Sequence, residues 1–100
     1  MKIIYNKVIP FRGFSAIMLF GVIFARREYE PLPERVINHE SIHKAQAKEN
    51  GGYVLYYVKY IYWWIRKGYR NNPFEKEAYQ NDNNLLYLTM RDKHAWKKHI

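Results

Sequence analysis

Two consecutive glycines, Gly51 and Gly52, fall at the midpoint of the chain and constrain its fold more than any other feature. Before them, residues 34–50 are good helix formers; after them, residues 53–69 read "YVLYYVKYIYWWIRKGY", mainly aromatic and branched. Glycine enters the left-handed backbone region without a Cβ penalty, so such a pair stops a helix and lets the chain turn. Propensity alone would admit a strand over 53–69, but its length and the stop at Gly68 favour a second helix. Two helices joined at a glycine corner are therefore expected at the centre of the fold.

The flanking segments complete an α+β chain. Residues 2–9, "KIIYNKVI", are rich in β-branched and aromatic residues and end at Pro10, which suits a first strand. "FRGFS" (11–15) reads as a turn. "AIMLFGVIFARR" (16–27) reads as a second strand antiparallel to the first, with Gly21 marking a bulge or a close backbone approach. Residues 28–34, with Pro31 and Pro33, lead as a loop into the first helix. Further on, Asn72 caps a third helix that begins at Pro73 and carries "FEKEAYQ" (74–80). "NDNN" (81–84) breaks it, and "LLYLTMRDKHAWKKH" (85–99) makes a fourth helix with a basic end. The expected architecture is a short N-terminal antiparallel β-hairpin followed by three or four α-helices, in a single domain over residues 1–100.

Composition narrows the chemistry. With 48% hydrophobic and 18% aromatic residues the chain lies outside the disordered class. It contains no cysteine, which excludes a disulfide framework, a Cys-based zinc ribbon and a thiol nucleophile. A metal would have to be held by His and carboxylate ligands. The formal charge of +8 suits solubility or attraction to an anionic surface. The basic residues are dispersed, apart from Arg91, Lys93, Lys97 and Lys98, and no nucleic-acid-binding signature accompanies them, so no nucleic-acid partner is expected. The apolar run 16–25 is too short to span a bilayer, and Ile23 sits at the minus-three position of any cleavage after Ala25. It is read as a strand rather than a signal peptide, and a cytoplasmic location is expected.

The reactive residues gather in "INHESIHKAQ" (37–46). Residues four apart on a helix share a face, so His39 and His43 can offer two imidazoles to one ion while Glu40 reaches a water bound there. Val36 and Ile37 point to a helix packed in a core, and Gln46, one turn beyond His43, is placed to support it. A third ligand must come from elsewhere. In "NPFEKEAYQ", Glu75 and Glu77 are candidates on different helix faces, so only one would point at the metal. Asp82, His94 and His99 are less well placed alternatives.

His39-Glu40-x-x-His43 followed by a helix with Glu-x-Glu-Ala resembles the gluzincin metallopeptidases, whose downstream motif is commonly E-x-x-A-D. It is also similar to the minigluzincins, reduced forms of that fold, and to small single-domain bacterial proteins of about this length. Laying the downstream motif on this chain puts its first Glu on Glu75, its Ala on Ala78 and its Asp on Tyr79. The resemblance implies a minimal zincin-like core, with Zn2+ held by His39, His43 and Glu75 and Glu40 as general base. It also implies a peptide or protein substrate, and an edge strand, here within 16–27, that pairs with extended peptide. Tyr79 stands where the family's Asp would support a ligand. Tyr79, Tyr87, Arg91 and His94 are all open as the donor to a tetrahedral intermediate.

Two other readings accompany this one. A zinc-binding protein with the same core and no peptidase activity accords with the short chain and Tyr79, whereas Glu40 has no purpose in a structural site. A membrane-surface or interaction module would rest on helix 53–69. There Val54, Leu55, Val58, Ile61, Trp64 and Ile65 fall at helical spacing and are expected in the core. Tyr56, Tyr57, Tyr60, Tyr62 and Trp63, with Lys59, Arg66 and Lys67 nearby, are expected to leave an aromatic and basic surface suited to lipid headgroups or a homo-oligomer contact.

Overall fold

A computed structural model describes residues 2–9 and 14–100. Three strands, β1 (Ile3–Asn6), β2 (Ala16–Leu19) and β3 (Val22–Arg26), precede four helices. These are α1 (Glu34–Glu49), α2 (Tyr53–Lys67), α3 (Pro73–Asn81) and α4 (Tyr87–Met90), with 3₁₀ turns at Arg27–Tyr29 and Ala95–His99.

The α+β class holds, with the strands at the N-terminus and the helices after them, but the antiparallel pairing expected between 2–9 and 16–27 does not. The apolar run 16–27 is not one strand. Phe20 and Gly21, at φ 50° and 85°, turn it back on itself, and β2 pairs antiparallel with β3, Leu19 opposite Val22. Two-residue turns with both central residues at positive φ match the twist of the strands they join. Gly21 therefore serves the turn rather than a bulge. β1 adds to the other side of β3 in parallel, Ile3 opposite Ile23, giving the order β1-β3-β2. Of the turn expected at 11–15, residues 11–13 lie outside those described. The Arg26 N–H donates to the Ser15 carbonyl at 3.1 Å. That bond sets the alternation, so the backbone groups of Ala16 and Met18 face away from β3, along the outer edge of the sheet.

Packing fixes this sheet to the helices. Ile23 and Ala25 are fully buried and pack with Leu32 against Val36 and Ile37 of α1. A second cluster, Ala47, Tyr56, Phe74 and Trp96, joins α1, α2, α3 and the C-terminal turn. The helix ends follow from their residues. Gly51 and Gly52 sit at φ 87° and 107°, and the Gly52 N–H returns to the Ala47 carbonyl at 3.0 Å, closing α1 as glycine-stopped helices close. At the start of α3, Asn72 Oδ1 accepts from the Phe74 N–H at 3.0 Å, with Pro73 in the first turn.

α2 is turned the other way from expectation. Its one buried residue is Tyr56, while Tyr53, Tyr57, Tyr60 and Trp63 pack against the core. Val54, Leu55, Val58, Ile61, Trp64 and Ile65, expected inside, are between 52% and 80% exposed. The physical reason lies in what α2 covers: a cluster of polar side chains that phenolic hydroxyls can serve and aliphatic groups cannot. The single helix expected over 85–99 is also corrected. It is interrupted by Arg91 in extended conformation and by His94 at φ 58° and ψ 32°, where the chain dips toward buried carboxylates. Among the described residues no helix is long and apolar enough to cross a membrane.

Candidate metal centre

α1 carries His39 and His43 on one face, and α3 crosses that face with Glu75. His39 Nε2 and His43 Nε2 lie 3.2 Å apart, and each is 3.1 Å from Glu75 Oε1. All three residues are buried, and among the described residues they form the group suited to hold a metal. A tetrahedral zinc ion with bonds of about 2.0–2.1 Å needs neighbouring ligand atoms about 3.3 Å apart. The observed triangle is close to that spacing.

The surrounding hydrogen bonds say which atoms carry protons. Gln46 Nε2 donates to the Phe74 carbonyl at 2.9 Å and to Glu77 Oε1 at 3.0 Å. Both hydrogens of that amide are thus used, and its oxygen must face His43. His43 Nδ1 lies 2.9 Å from Gln46 Oε1, which also accepts from the Tyr56 hydroxyl at 2.8 Å. The imidazole therefore donates from Nδ1 and leaves Nε2 as a lone pair. His39 is held the same way, Nδ1 donating to Asp82 Oδ2 at 2.9 Å. Glu75 Oε2 accepts from the Tyr60 hydroxyl at 2.5 Å, which leaves Oε1 for the triangle. Three lone pairs converge on one point, and such a group is stable only around a cation. The donor set fits a divalent metal.

Electrostatics give the same demand. Burial alone would pull His43 down, but the Glu75 carboxylate beside it, aided by Glu40 and Gln46, pushes its pKa up to about 10. Burial likewise opposes ionisation of Glu75, yet the His43 charge and the hydrogen bonds from His39, His43 and Tyr60 hold it well below the usual carboxylate range. With no metal bound, the site takes a proton instead. Glu40 is affected in the opposite sense. Its burial is the largest effect and raises it, Glu75 adds to this, and His43, His39 and a hydrogen bond from the Met18 backbone oppose.

The structure sorts the remaining sequence candidates. Glu77 points away from the triangle, fully buried against Arg91 and the Tyr87 hydroxyl, the latter at 2.7 Å. Arg91 also grips Glu49 with two bonds of 2.8 and 2.7 Å. Arg91 and Tyr87 are thus structural, and His94 donates its backbone N–H to Glu49 at 2.8 Å rather than facing the site. Neither His94 nor His99 joins the ligand group. Asp82 lies outside the triangle and, from the C-terminal cap of α3, holds the Nδ1 side of His39. Tyr79 stays beside the triangle, its ring 4.5 Å from that of His39. Its hydroxyl pairs with that of Tyr69 at 2.8 Å. Sequence reasoning missed Tyr60 and Tyr69, whose only signal was their place in a tyrosine-rich helix and its C-terminal flank.

The triangle and Glu40 open into a cavity of about 670 Å³. β2 forms one wall, and Tyr57, Tyr60, Trp64, Tyr69 and Tyr79 line much of the rest. Comparison of the chain with protein-family models, curated proteins and solved structures gave no match. The functional reading therefore rests on the site's own atoms.

Proposed function

We propose that this chain is a zinc-dependent metallopeptidase of minimal gluzincin type. The observation that carries the reading is the convergence of His39 Nε2, His43 Nε2 and Glu75 Oε1, with every other polar atom of those side chains already committed. His39, His43 and Glu75 would hold the ion, which when bound supplies Lewis acidity to a carbonyl and to water.

The chain's own residues account for the rest. Glu40 follows the first ligand and faces the same cavity. A carboxylate whose proton affinity is raised by burial is suited to take a proton from the nucleophile and return it to the leaving amine. Tyr79 and Tyr69 supply hydroxyls at the cavity wall, where one could donate to a developing oxyanion. The outer edge of β2 lies beside His39, His43 and Glu75 and would offer extended peptide a place to pair once the contacts of Met18 are displaced. The aromatic lining favours apolar side chains in the substrate.

The test is hydrolysis of a quenched fluorescent peptide library by wild type and Glu40→Gln, with zinc content measured in both. Hydrolysis by the wild type alone, with zinc bound equally, supports the reading. Equal and negligible rates with zinc retained would sink it and leave a metal-binding protein. One observation favours that second reading. Both outward groups of Met18 are engaged, its N–H by Glu40 and its carbonyl by the Tyr57 hydroxyl at 3.5 Å, so a peptide would have to displace them.

A further inference from the structure

Among the described residues, the outward face of α2 is left uncovered. At 100° per residue, Ile61, Val54, Ile65, Val58, Tyr62 and Leu55 follow one another round a single continuous arc. Each is at least half exposed. A contiguous apolar stripe of this kind marks a surface that something covers.

Charge says what. No Asp or Glu occurs between Asn50 and Phe74, while Lys59, Arg66, Lys67 and Arg70 are all exposed there. Arg66 and Lys59 border one side of the stripe. On the other side lie Tyr57 and Trp64, which also line the cavity, and Phe20 extends the apolar surface, its ring 5.4 Å from that of Tyr57. The surface as a whole is more basic than the sequence suggests, because five of the nine acidic residues are turned inward. Glu40, Glu75, Glu77 and Asp82 are buried, and the Glu49 side chain is 7% exposed. A second copy of the chain would set these cations against their own kind with no carboxylate on the face to meet them. An anionic lipid surface complements both the stripe and its border.

We propose that α2 lies in the plane of an anionic membrane surface, its aliphatic stripe among the acyl chains and the bordering Lys59 and Arg66 at the phosphates. At about 1.5 Å per residue its fifteen residues are too short to cross. The cavity mouth then sits at the membrane boundary. Docking requires no metal, so it can fail or succeed independently of the peptidase reading.

The experiment is flotation of the full chain with phosphatidylcholine vesicles containing ~30% phosphatidylglycerol, and with phosphatidylcholine alone, with and without a chelator. The wild type should float with the anionic vesicles only. Two double variants, Val58→Ser with Ile65→Ser and Lys59→Glu with Arg66→Glu, should each float about tenfold less while keeping the wild-type circular dichroism spectrum. Absence of wild-type flotation, or wild-type flotation by either variant, overturns the proposal. So does a wild-type dimer in light scattering that the Val58/Ile65 variant dissociates, which would place a second copy on this face.

Discussion

Gln46 presents its amide oxygen, not its nitrogen, to His43 Nδ1, because the nitrogen is held by the Phe74 carbonyl and the Glu77 carboxylate. One side chain thereby decides which imidazole nitrogen is left for an ion. Gln46→Leu keeps the bulk and removes this control. Metal affinity is expected to fall about 10–100-fold, as for other outer-sphere partners of metal-bound histidine. Competition against a chromophoric chelator measures it, and an unchanged affinity would show that His43 needs no help from Gln46.

Stability of the metal-free protein should depend on pH at both ends. His43 has its pKa raised from 6.5 to about 10, so the stability it contributes is fully present below about pH 6.5 and is lost as pH rises toward 10. Glu75 is depressed, so its contribution is present above its ordinary value of 4.5 and is lost as pH falls through the lower folded value. Bound metal takes the place of the proton, and its contribution grows with pH. Melting temperatures with chelator and with zinc, from about pH 5 to pH 9, should therefore diverge as pH rises. A constant gap would mean that no proton competes with the ion.

Arg91→Ala should be among the most damaging changes. It leaves Glu77, whose side chain is 0% exposed, as a charge without its cation, and frees Glu49 as well. Breaking a buried pair from one side costs about 3–5 kcal/mol. Urea unfolding would report the loss. Since Glu77 also orients Gln46, metal affinity should weaken in the same variant even under conditions where it remains folded.

Gly21→Ala tests the hairpin. The residue sits at φ +85°, and an added Cβ would lie 2.7 Å from the Tyr53 hydroxyl oxygen. The phenol can swing aside, but the backbone strain stays, so a loss of about 1 kcal/mol or more is expected in chemical denaturation. A neutral result would mean that the turn tolerates an L side chain and that β2 is held by other contacts.

Much of the site was legible because its parts are local. His39, Glu40, His43 and Gln46 obey helix spacing, and Asn72-Pro73 announces the helix that delivers Glu75. Other parts were hidden for physical reasons. Asp82 acts from beyond the end of α3, so no spacing rule connects it to His39. The rotation of α2 was misjudged because apolar residues were assigned to the interior. The interior here is polar enough to draw in Tyr56 and Tyr60, whose hydroxyls meet Gln46 and Glu75. The turn at Phe20 and Gly21 was masked by the apolar residues on both sides, since glycine alone distinguishes a turn from a bulge poorly.

The Arg91 side chain, 6% exposed, has one more consequence. Through Glu77 and Gln46 it is three polar contacts away from His43, although it lies outside every element that carries a ligand. A version trimmed at residue 90 would retain the whole H-E-x-x-H stretch and Glu75, and would still be expected to lose its grip on the ion. The smallest unit able to work is thus set by where the carboxylates find their counter-charge, and a motif boundary would be drawn too short.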